Sequence, residues 1–292
     1  MSTLKNNRSA DSIKHSQNLW ILDLNPEGDT DHLSYSIQPN LGPEAGYHAC
    51  VPSLGLKNIV SYYHQIRANE NTGDKRIYPS GNIALVFRCD ALNPNVYLVG
   101  TPTVPRKPEY IEEGNDYFIV FFCIGEGSDL MPVPASELVD THVPMDRLDL
   151  DEVEKIALDI AGKKTFTERV NSFERFLVRQ ESIINHHHGR LKPVIETICG
   201  ASSAGSRERL AHLSDRHMRR LFNRYVGVSP AYFKRIVRHQ KAIKALNGNP
   251  YQDLAGLSAK FGYCDQSHFI HEFKRFHGMS PVRFLKTYIR RD

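Results

Sequence analysis

A pattern that occurs twice in the last third of the chain constrains its fold most strongly. Residues 214–230 open with Ser and end in Gly-Val-Ser-Pro, and residues 265–281 open with Asp and end in Gly-Met-Ser-Pro. Each copy carries an apolar pair four residues apart, between a residue that caps a helix start and a glycine that ends it. The Ser-Pro that follows suits the first turn of a next helix. The pattern therefore predicts an internal repeat of two similar helices.

Opposite the apolar stripe, each predicted helix carries polar side chains suited to DNA. Arg contacts guanine at two points and Gln contacts adenine, which suits a helix lying in a major groove. The base-facing candidates are Arg216, Arg219, Arg220, Gln266, Ser267, Ile270 and His271. Contacts to phosphate fix the position of a protein on the duplex without reading its sequence. They are predicted for Arg224, Lys234, Arg235, Lys274 and Arg275. The competing interpretations are a solvated surface for the charged residues and core packing for Ile270.

A long helical pattern separates the two copies. Residues 231–247 predict an unbroken helix that, at about 1.5 Å per residue, is about 26 Å long. A rod of this order could set two helices in successive major grooves, roughly 34 Å apart. Residues 251–260 predict the first helix of the second unit, and Gly262 permits the tight turn after it. Residues 186–292 are thus predicted to form a DNA-binding domain with two helix-turn-helix units.

These residues resemble the AraC/XylS family of bacterial transcription regulators over about residues 190–290. The strongest match is Phe261–Phe269 (FGYCDQSHF), followed by Phe-Lys-Arg and Gly-Met-Ser-Pro. The resemblance implies a seven-helix DNA-binding domain that activates or represses promoters. One departure lies ahead of the first recognition helix, where the family's Leu-Ala pair and turn glycine are replaced by Arg207-Glu208 and His212. The leading helix of the first unit is therefore expected to be short, shifted or mobile.

The charge distribution agrees with a polyanion-binding segment. Residues 1–185 hold 17 Lys and Arg against 26 Asp and Glu, a net charge of −9, whereas residues 186–292 hold 20 against 7, a net charge of +13. The asymmetry suggests a nucleic-acid-binding module attached to an acidic one. A basic solvated surface is the alternative interpretation.

The first two thirds of the chain predict a different architecture. Residues 1–18 are expected to form a flexible tail. Short apolar runs bounded by turn residues then predict strands of a sandwich or barrel: Leu33–Ile37, Ile59–Ile66, Ile83–Phe87, Val96–Val99 and Tyr117–Ile124. Near-helical spacing predicts helices at 148–162 and 166–184. The fold class is therefore α+β multidomain, with a β-rich domain over 19–185 ahead of the all-α domain.

Two stretches of the β-rich domain, residues 78–87 and 134–144, resemble an uncharacterised N-terminal domain of some AraC-type regulators. The resemblance implies a cupin-like double-stranded β-helix that senses a small molecule or dimerises. The side chains that would line an effector pocket are Tyr62, Tyr63, Phe87, Arg88, Tyr97, Tyr117 and Phe121, with Arg88 facing an anionic effector. The alternative is an ordinary core for the aromatic residues and an exposed rim for Arg88.

The sequence favours a non-enzymatic protein without metal or cofactor. Histidines of the β-rich domain form no His-x-His pair, the tract His186–His188 is better read as a solvated linker, and no nucleophile or phosphate-loop motif occurs. Alkylation-repair methyltransferases, which also carry a double helix-turn-helix, need four close cysteines, whereas Cys50, Cys89 and Cys123 lie 39 and 34 positions apart. We interpret these three as core filler, with redox sensing as the alternative.

The chain has neither a secretory signal pattern nor an apolar run of the roughly 18–20 residues that span a bilayer, so a cytoplasmic location without membrane contact is expected. The main hypothesis is a sequence-specific DNA-binding transcription regulator. Its expected partners are double-stranded DNA, a small-molecule effector, a second copy of the chain and, for an activator, RNA polymerase. Helix 166–184 is the predicted dimer contact, with packing on its own domain as the alternative.

A second hypothesis is a small-molecule-binding or enzymatic β-domain whose basic tail binds nucleic acid without specificity. A set of DNA fragments selected by binding would discriminate the two, because only the first hypothesis predicts an enriched motif.

Overall fold

The computed structural model describes residues 48–68, 76–128, 133–144, 151–180, 188–200, 214–249, 251 and 253–289. The predicted tail at 1–18 and the predicted strand at Leu33–Ile37 lie outside these residues. So does the segment 207–212, where the leading helix of the first helix-turn-helix unit is expected.

The N-terminal part is built on an antiparallel sheet of six strands in the order β1-β2-β5-β3-β4-β6. The strands are β1 (His48–Cys50), β2 (Val60–Arg67), β3 (Ala84–Arg88), β4 (Asn95–Val99), β5 (Asp116–Phe122) and β6 (His142–Pro144). Strands β2 to β5 cover predicted apolar runs, since Val, Ile, Tyr and Phe suit a pleated, buried surface. The β-rich fold class is confirmed, while the cupin-like double-stranded β-helix stays a prediction.

Successive side chains of a strand point to opposite faces of the sheet, so the sheet has two separate cores. On one face, Tyr63 and Phe118 pack beneath helices α1 (Asp151–Ala161) and α2 (Phe166–Arg179). On the other face, neighbouring residues of the same strands, Tyr62, Tyr117 and Phe121, form a second cluster with Tyr110 from the segment between β4 and β5. The two cores bury most of the large aromatic side chains of this domain.

Helix α2 is held at its start by a reciprocal capping box. Thr165 Oγ1 accepts a hydrogen bond from the Glu168 N–H at 3.2 Å, and the Glu168 carboxylate accepts one from the Thr165 N–H at 3.0 Å. Its apolar face packs on the domain's own core through Phe173 and Leu177, whereas Val178 is 58% exposed. A dimer contact through this helix stays a prediction, and only its outer face is available for one.

The C-terminal part is helical. Its helices are α3 (His188–Cys199), α4 (Asp215–Tyr225), α5 (Pro230–Gly248), α6 (Leu254–Lys260), α7 (Gln266–His277) and α8 (Pro281–Phe284), with a π-helical turn at Leu285–Ile289. Helix α3 begins within the tract expected to be a linker, at its last histidine, and residues 186–187 lie outside the described part.

Two apolar clusters define the two helical units. The first joins α3, α4 and the start of α5 and also includes Ile124 of the N-terminal part, and the second joins α6, α7, α8 and the end of α5. Within them Phe222, Phe233, Phe269 and Phe273 are fully buried. Because α5 contributes side chains to both clusters, it connects the units as a spacer.

Candidate DNA interface

The first candidate recognition helix, α4, begins and ends where the repeat predicts. Ser214 Oγ accepts a hydrogen bond from the backbone N–H of His217 at 3.3 Å. After the helix, Gly227 adopts a φ of 87° and donates its N–H to the Phe222 carbonyl at 3.0 Å. That left-handed conformation favours glycine, which explains why the motif requires one. The opposite ends of the helix are thus fixed by residues identifiable from sequence.

The second candidate recognition helix, α7, uses the same devices. The Asp265 carboxylate accepts a hydrogen bond from the His268 N–H at 2.7 Å, and Gly278 has a φ of 78° with its N–H donated to the Lys274 carbonyl at 2.8 Å. The apolar stripe, with Phe273 at its centre, is fully buried. In both helices, the face opposite the buried stripe is therefore exposed to solvent.

The predicted base-facing side chains lie on the free faces of these two helices. Six of them are exposed: Arg216, Arg219, Arg220, Gln266, Ser267 and His271. Ile270 is half-buried, so it shares its surface between the core and solvent. Arg220 Nη2 lies 3.0 Å from His217 Nδ1 one turn earlier, which orients its guanidinium along the helix surface. Base contact by these residues stays a prediction.

Four of the five predicted phosphate contacts are exposed cations: Arg224, Lys234, Lys274 and Arg275. Arg235 differs, because its Nε donates to the Glu272 carboxylate at 2.6 Å and its guanidinium lies 5.2 Å from the centre of the Tyr232 ring. Its charge is thus partly compensated within the protein, and it is a weaker phosphate candidate than the other four.

Sequence reasoning missed the ion pair that fixes α7 to the spacer helix. Glu272 of α7 is 3% exposed and accepts hydrogen bonds at 2.6 Å from both Arg235 Nε and Arg238 Nη2 of α5. Burial alone would raise the pKa of the Glu272 carboxyl, but the hydrogen bonds from Arg238 and Arg235 outweigh it and lower the pKa. The signal in the sequence was a lone acidic residue within an otherwise basic helix.

Two histidines are buried beside this ion pair. His239 of α5 and His277 of α7 have ring centres 5.9 Å apart among aromatic side chains. Desolvation lowers the pKa of His277 to about 3 and that of His239 well below its ordinary value, the latter aided by the neighbouring His277. Both rings are therefore neutral at pH 7 and act as core residues.

The spacer gives the interface its dimensions. Helix α5 has 19 residues, which corresponds to about 28 Å at 1.5 Å per residue. Lys241 Nζ donates to the Cys199 carbonyl at 2.7 Å, so α5 is also tied to the end of α3. A braced rod of this length is of the order of the separation between successive major grooves, about 34 Å.

The predicted effector-binding residues divide between the two faces of the sheet. Tyr63 and Phe87 belong to the core under α1 and α2, whereas the opposite face of the sheet holds Tyr62, Tyr97, Tyr117 and Phe121. Arg88 is not on an exposed rim, because its side chain is only 14% exposed. Its charge is paired with Glu112, which lies 2.9 Å from Arg88 Nη1. Alternate strand positions point to opposite faces, which accounts for this division. Effector binding by these residues stays a prediction.

The half-buried cysteines of the β-domain suit packing rather than redox sensing. Burial raises the pKa of Cys50 to about 12 and that of Cys89 to about 11, and it raises the pKa of Cys123 as well. The thiolate, which is the reactive form, is thus suppressed at all three positions.

Within the described ranges, no group of three or more His, Cys, Asp or Glu side chains is placed to hold a metal ion. Across those same ranges, none of the helices combines the length and apolar character that crossing a bilayer requires.

Comparisons with known proteins agree with the two-part organisation. Residues 209–287 match the family described as "Helix-turn-helix domain", and residues 48–144 match a domain of unknown function, DUF6597. A protein of Haemophilus influenzae described as an uncharacterized HTH-type transcriptional regulator is 31% identical over 78 residues, which is 27% of this chain. The chain spans about a quarter (26%) of the length of that curated relative.

Solved structures of ToxT from Vibrio cholerae were also found. One, at 1.65 Å resolution, has a TM-score of 0.37 and 8% identity, covering 84% of this chain and 100% of that one. Another, of unsaturated fatty acid bound wild-type ToxT, has a TM-score of 0.35 and 10% identity, covering 84% of this chain and 96% of the other.

The fold and the exposed helix faces define a helix-turn-helix protein with an N-terminal β-domain. Together with the matches to both parts of the chain, they confirm the predicted resemblance. The chain therefore combines a helix-turn-helix domain with an N-terminal domain of unknown function.

Proposed function

We propose that this protein is a transcription regulator that binds double-stranded DNA at specific sequences through α4 and α7. The observation that carries the proposal is that both helices bury one stripe and expose a polar face, with arginines on α4 and Gln266 on α7. Side chains of these kinds can hydrogen-bond to base edges in a major groove. The exposed cations beside them supply the phosphate contacts that hold the helices in register.

The N-terminal domain is proposed to control the DNA-binding domain, through a small-molecule effector or by forming a dimer. The resemblance to AraC-type regulators supports this role, and the acidic character of residues 1–185 supports a function other than DNA contact. A dimer would present four recognition helices, so its binding sites would be paired and phased with the turn of the duplex. An activator would in addition contact RNA polymerase.

Selection of bound duplexes from random DNA with the full chain tests the proposal. We expect an enriched motif with two conserved blocks about one helical turn apart. Binding of all fragments alike would instead favour a β-domain protein with a non-specific basic tail.

A matched pair of variants tests the assignment of side chains. Gln266→Ala should lose discrimination at particular bases, by roughly 1–3 kcal/mol, while other positions of the motif keep theirs. Lys274→Ala, on the same helix, should weaken binding to all sequences similarly and reduce the salt dependence by about one ion. A uniform loss for Gln266→Ala would show that this residue does not read bases.

A further inference from the structure

The N-terminal domain contacts the same position of both repeats. Gly227 and Gly278, the glycines that follow the two recognition helices, lie 51 positions apart in equivalent places. A Cβ on Gly227 would lie 2.6 Å from the carbonyl oxygen of Ala135, and a Cβ on Gly278 would lie 3.7 Å from Arg76 Nη1 and 3.8 Å from Pro105 Cγ. One domain thus meets the C-terminal ends of both recognition helices.

Polar and aromatic contacts add to this contact between the two domains. Tyr232 Oη, in the first turn of α5, donates a hydrogen bond to the Thr103 carbonyl oxygen at 2.6 Å. Tyr78 stacks on His277, the last residue of α7, with ring centres 4.5 Å apart and planes 18° from parallel. These contacts join the β-domain to the spacer and to the second recognition helix.

The loop that accepts the Tyr232 hydrogen bond is itself held by the β-domain. The Asp140 carboxylate accepts hydrogen bonds from the Thr103 N–H at 2.7 Å and from its Oγ1 at 2.5 Å. Asp140 has a φ of 57°, a conformation that costs energy for a residue with a side chain. The Gly81 N–H also donates to Thr101 Oγ1 at 2.8 Å, so hydrogen bonds join the segments 76–81, 101–106 and 135–140, called the docking loops below.

We infer that the docking loops couple the two helix-turn-helix units by holding them in a fixed relative orientation. The inference rests on the proposed function, because it concerns how two recognition helices are presented to one duplex. Since the loops contact the C-terminal ends of α4 and α7, the base-facing side chains stay exposed while the domain is docked. Because the units are already oriented, they lose less conformational entropy when they bind paired sites. It also supplies a route by which a change in the β-domain alters affinity for paired sites.

The test uses the full chain and two readouts. Tyr232→Phe removes the interdomain hydrogen bond but keeps the ring, and Tyr251→Phe makes the same change at a residue that is 76% exposed. Without DNA, hydrogen exchange of amides in 101–106 should become roughly two- to tenfold faster in Tyr232→Phe, which corresponds to one lost hydrogen bond, and stay unchanged in Tyr251→Phe.

With DNA, affinity is measured on a duplex carrying both blocks of the selected motif and on one carrying a single block. Tyr232→Phe should lose roughly two- to tenfold on the paired duplex and nothing on the single-block duplex. A second pair of variants, Gly227→Ala and Gly114→Ala, should give the same contrast. Both glycines have positive φ, but a Cβ at Gly227 would meet the Ala135 carbonyl oxygen, whereas a Cβ at Gly114, in the loop before β5, would have no such neighbour within 4 Å.

Unchanged exchange in Tyr232→Phe would overturn the inference by showing that the contact does not hold the docking loops. Faster exchange with equal losses on both duplexes would overturn the coupling. A wild-type chain that binds every duplex alike would refute the proposed function and the coupling together, and the exchange readout would show separately whether the domains dock.

Discussion

Replacing Glu272 by Gln tests the ion pair that fixes the second recognition helix to the spacer. The Glu272 carboxylate, 4% exposed, receives one hydrogen bond from each of Arg235 and Arg238. Gln keeps one acceptor oxygen but turns an NH2 group toward the other guanidinium, so one charge-assisted bond is lost and two donors face each other. We expect the free energy of unfolding to fall by about 3 kcal/mol.

Urea unfolding at pH 7 measures this loss without screening the charges by salt. The matched control is Glu152→Gln, which removes the same charge from a pair with Lys155 whose side chains are 61% and 67% exposed. Exposed pairs of this kind contribute at most about 0.5 kcal/mol. Equal losses for the two variants would refute the view that the buried ion pair stabilises the helix.

The same variant has a defined pH dependence. Because the pKa of Glu272 is lowered in the folded protein, its stabilising contribution is complete above the pKa of the unfolded chain. The contribution is then lost as the pH falls through the folded pKa. The difference between wild type and Glu272→Gln should therefore shrink in strongly acidic solution, and a constant difference would contradict the assignment.

Two further predictions concern stability. The pKa of His277 is lowered to about 3, so protons bind the unfolded chain first as the pH falls. Between pH 6 and 5 this residue should lower the free energy of unfolding by about 1.2 kcal/mol, and His277→Leu should remove that share of the pH dependence in urea unfolding. Thr165→Ala should lower the free energy of unfolding by about 1 kcal/mol by removing the cap of α2, whereas an unchanged value would show that the cap contributes nothing.

The helical repeat could be predicted from sequence because its signals are local. Ser214, Asp265, Gly227 and Gly278 each act through hydrogen bonds to residues at most five positions away. The same holds for the spacer, predicted at residues 231–247 and found one residue longer at each end. Helix caps and helical periodicity depend on residues that are close together in the sequence, so they can be predicted without knowing the fold.

The long-range contacts could not be predicted in this way. Glu272 meets arginines 34 and 37 positions earlier, and Tyr232 meets Thr103 at a separation of 129. Nothing in the spacing of such residues indicates that the fold joins them. The predicted effector residues divide between two faces for a related reason, since neighbours such as Tyr62 and Tyr63 face opposite sides of one sheet. Apolar character alone does not distinguish a pocket from a core.

Footprinting of the full chain on its selected duplex tests most directly whether two recognition helices read one site. Methylation of guanine N7 reports the major groove at single-base resolution. We predict two protected major-groove segments on the same face of the duplex, separated by about 10 base pairs. The segment that loses protection in Gln266→Ala should be only one of them. A single protected groove, or protection spread evenly along the duplex, would contradict the account.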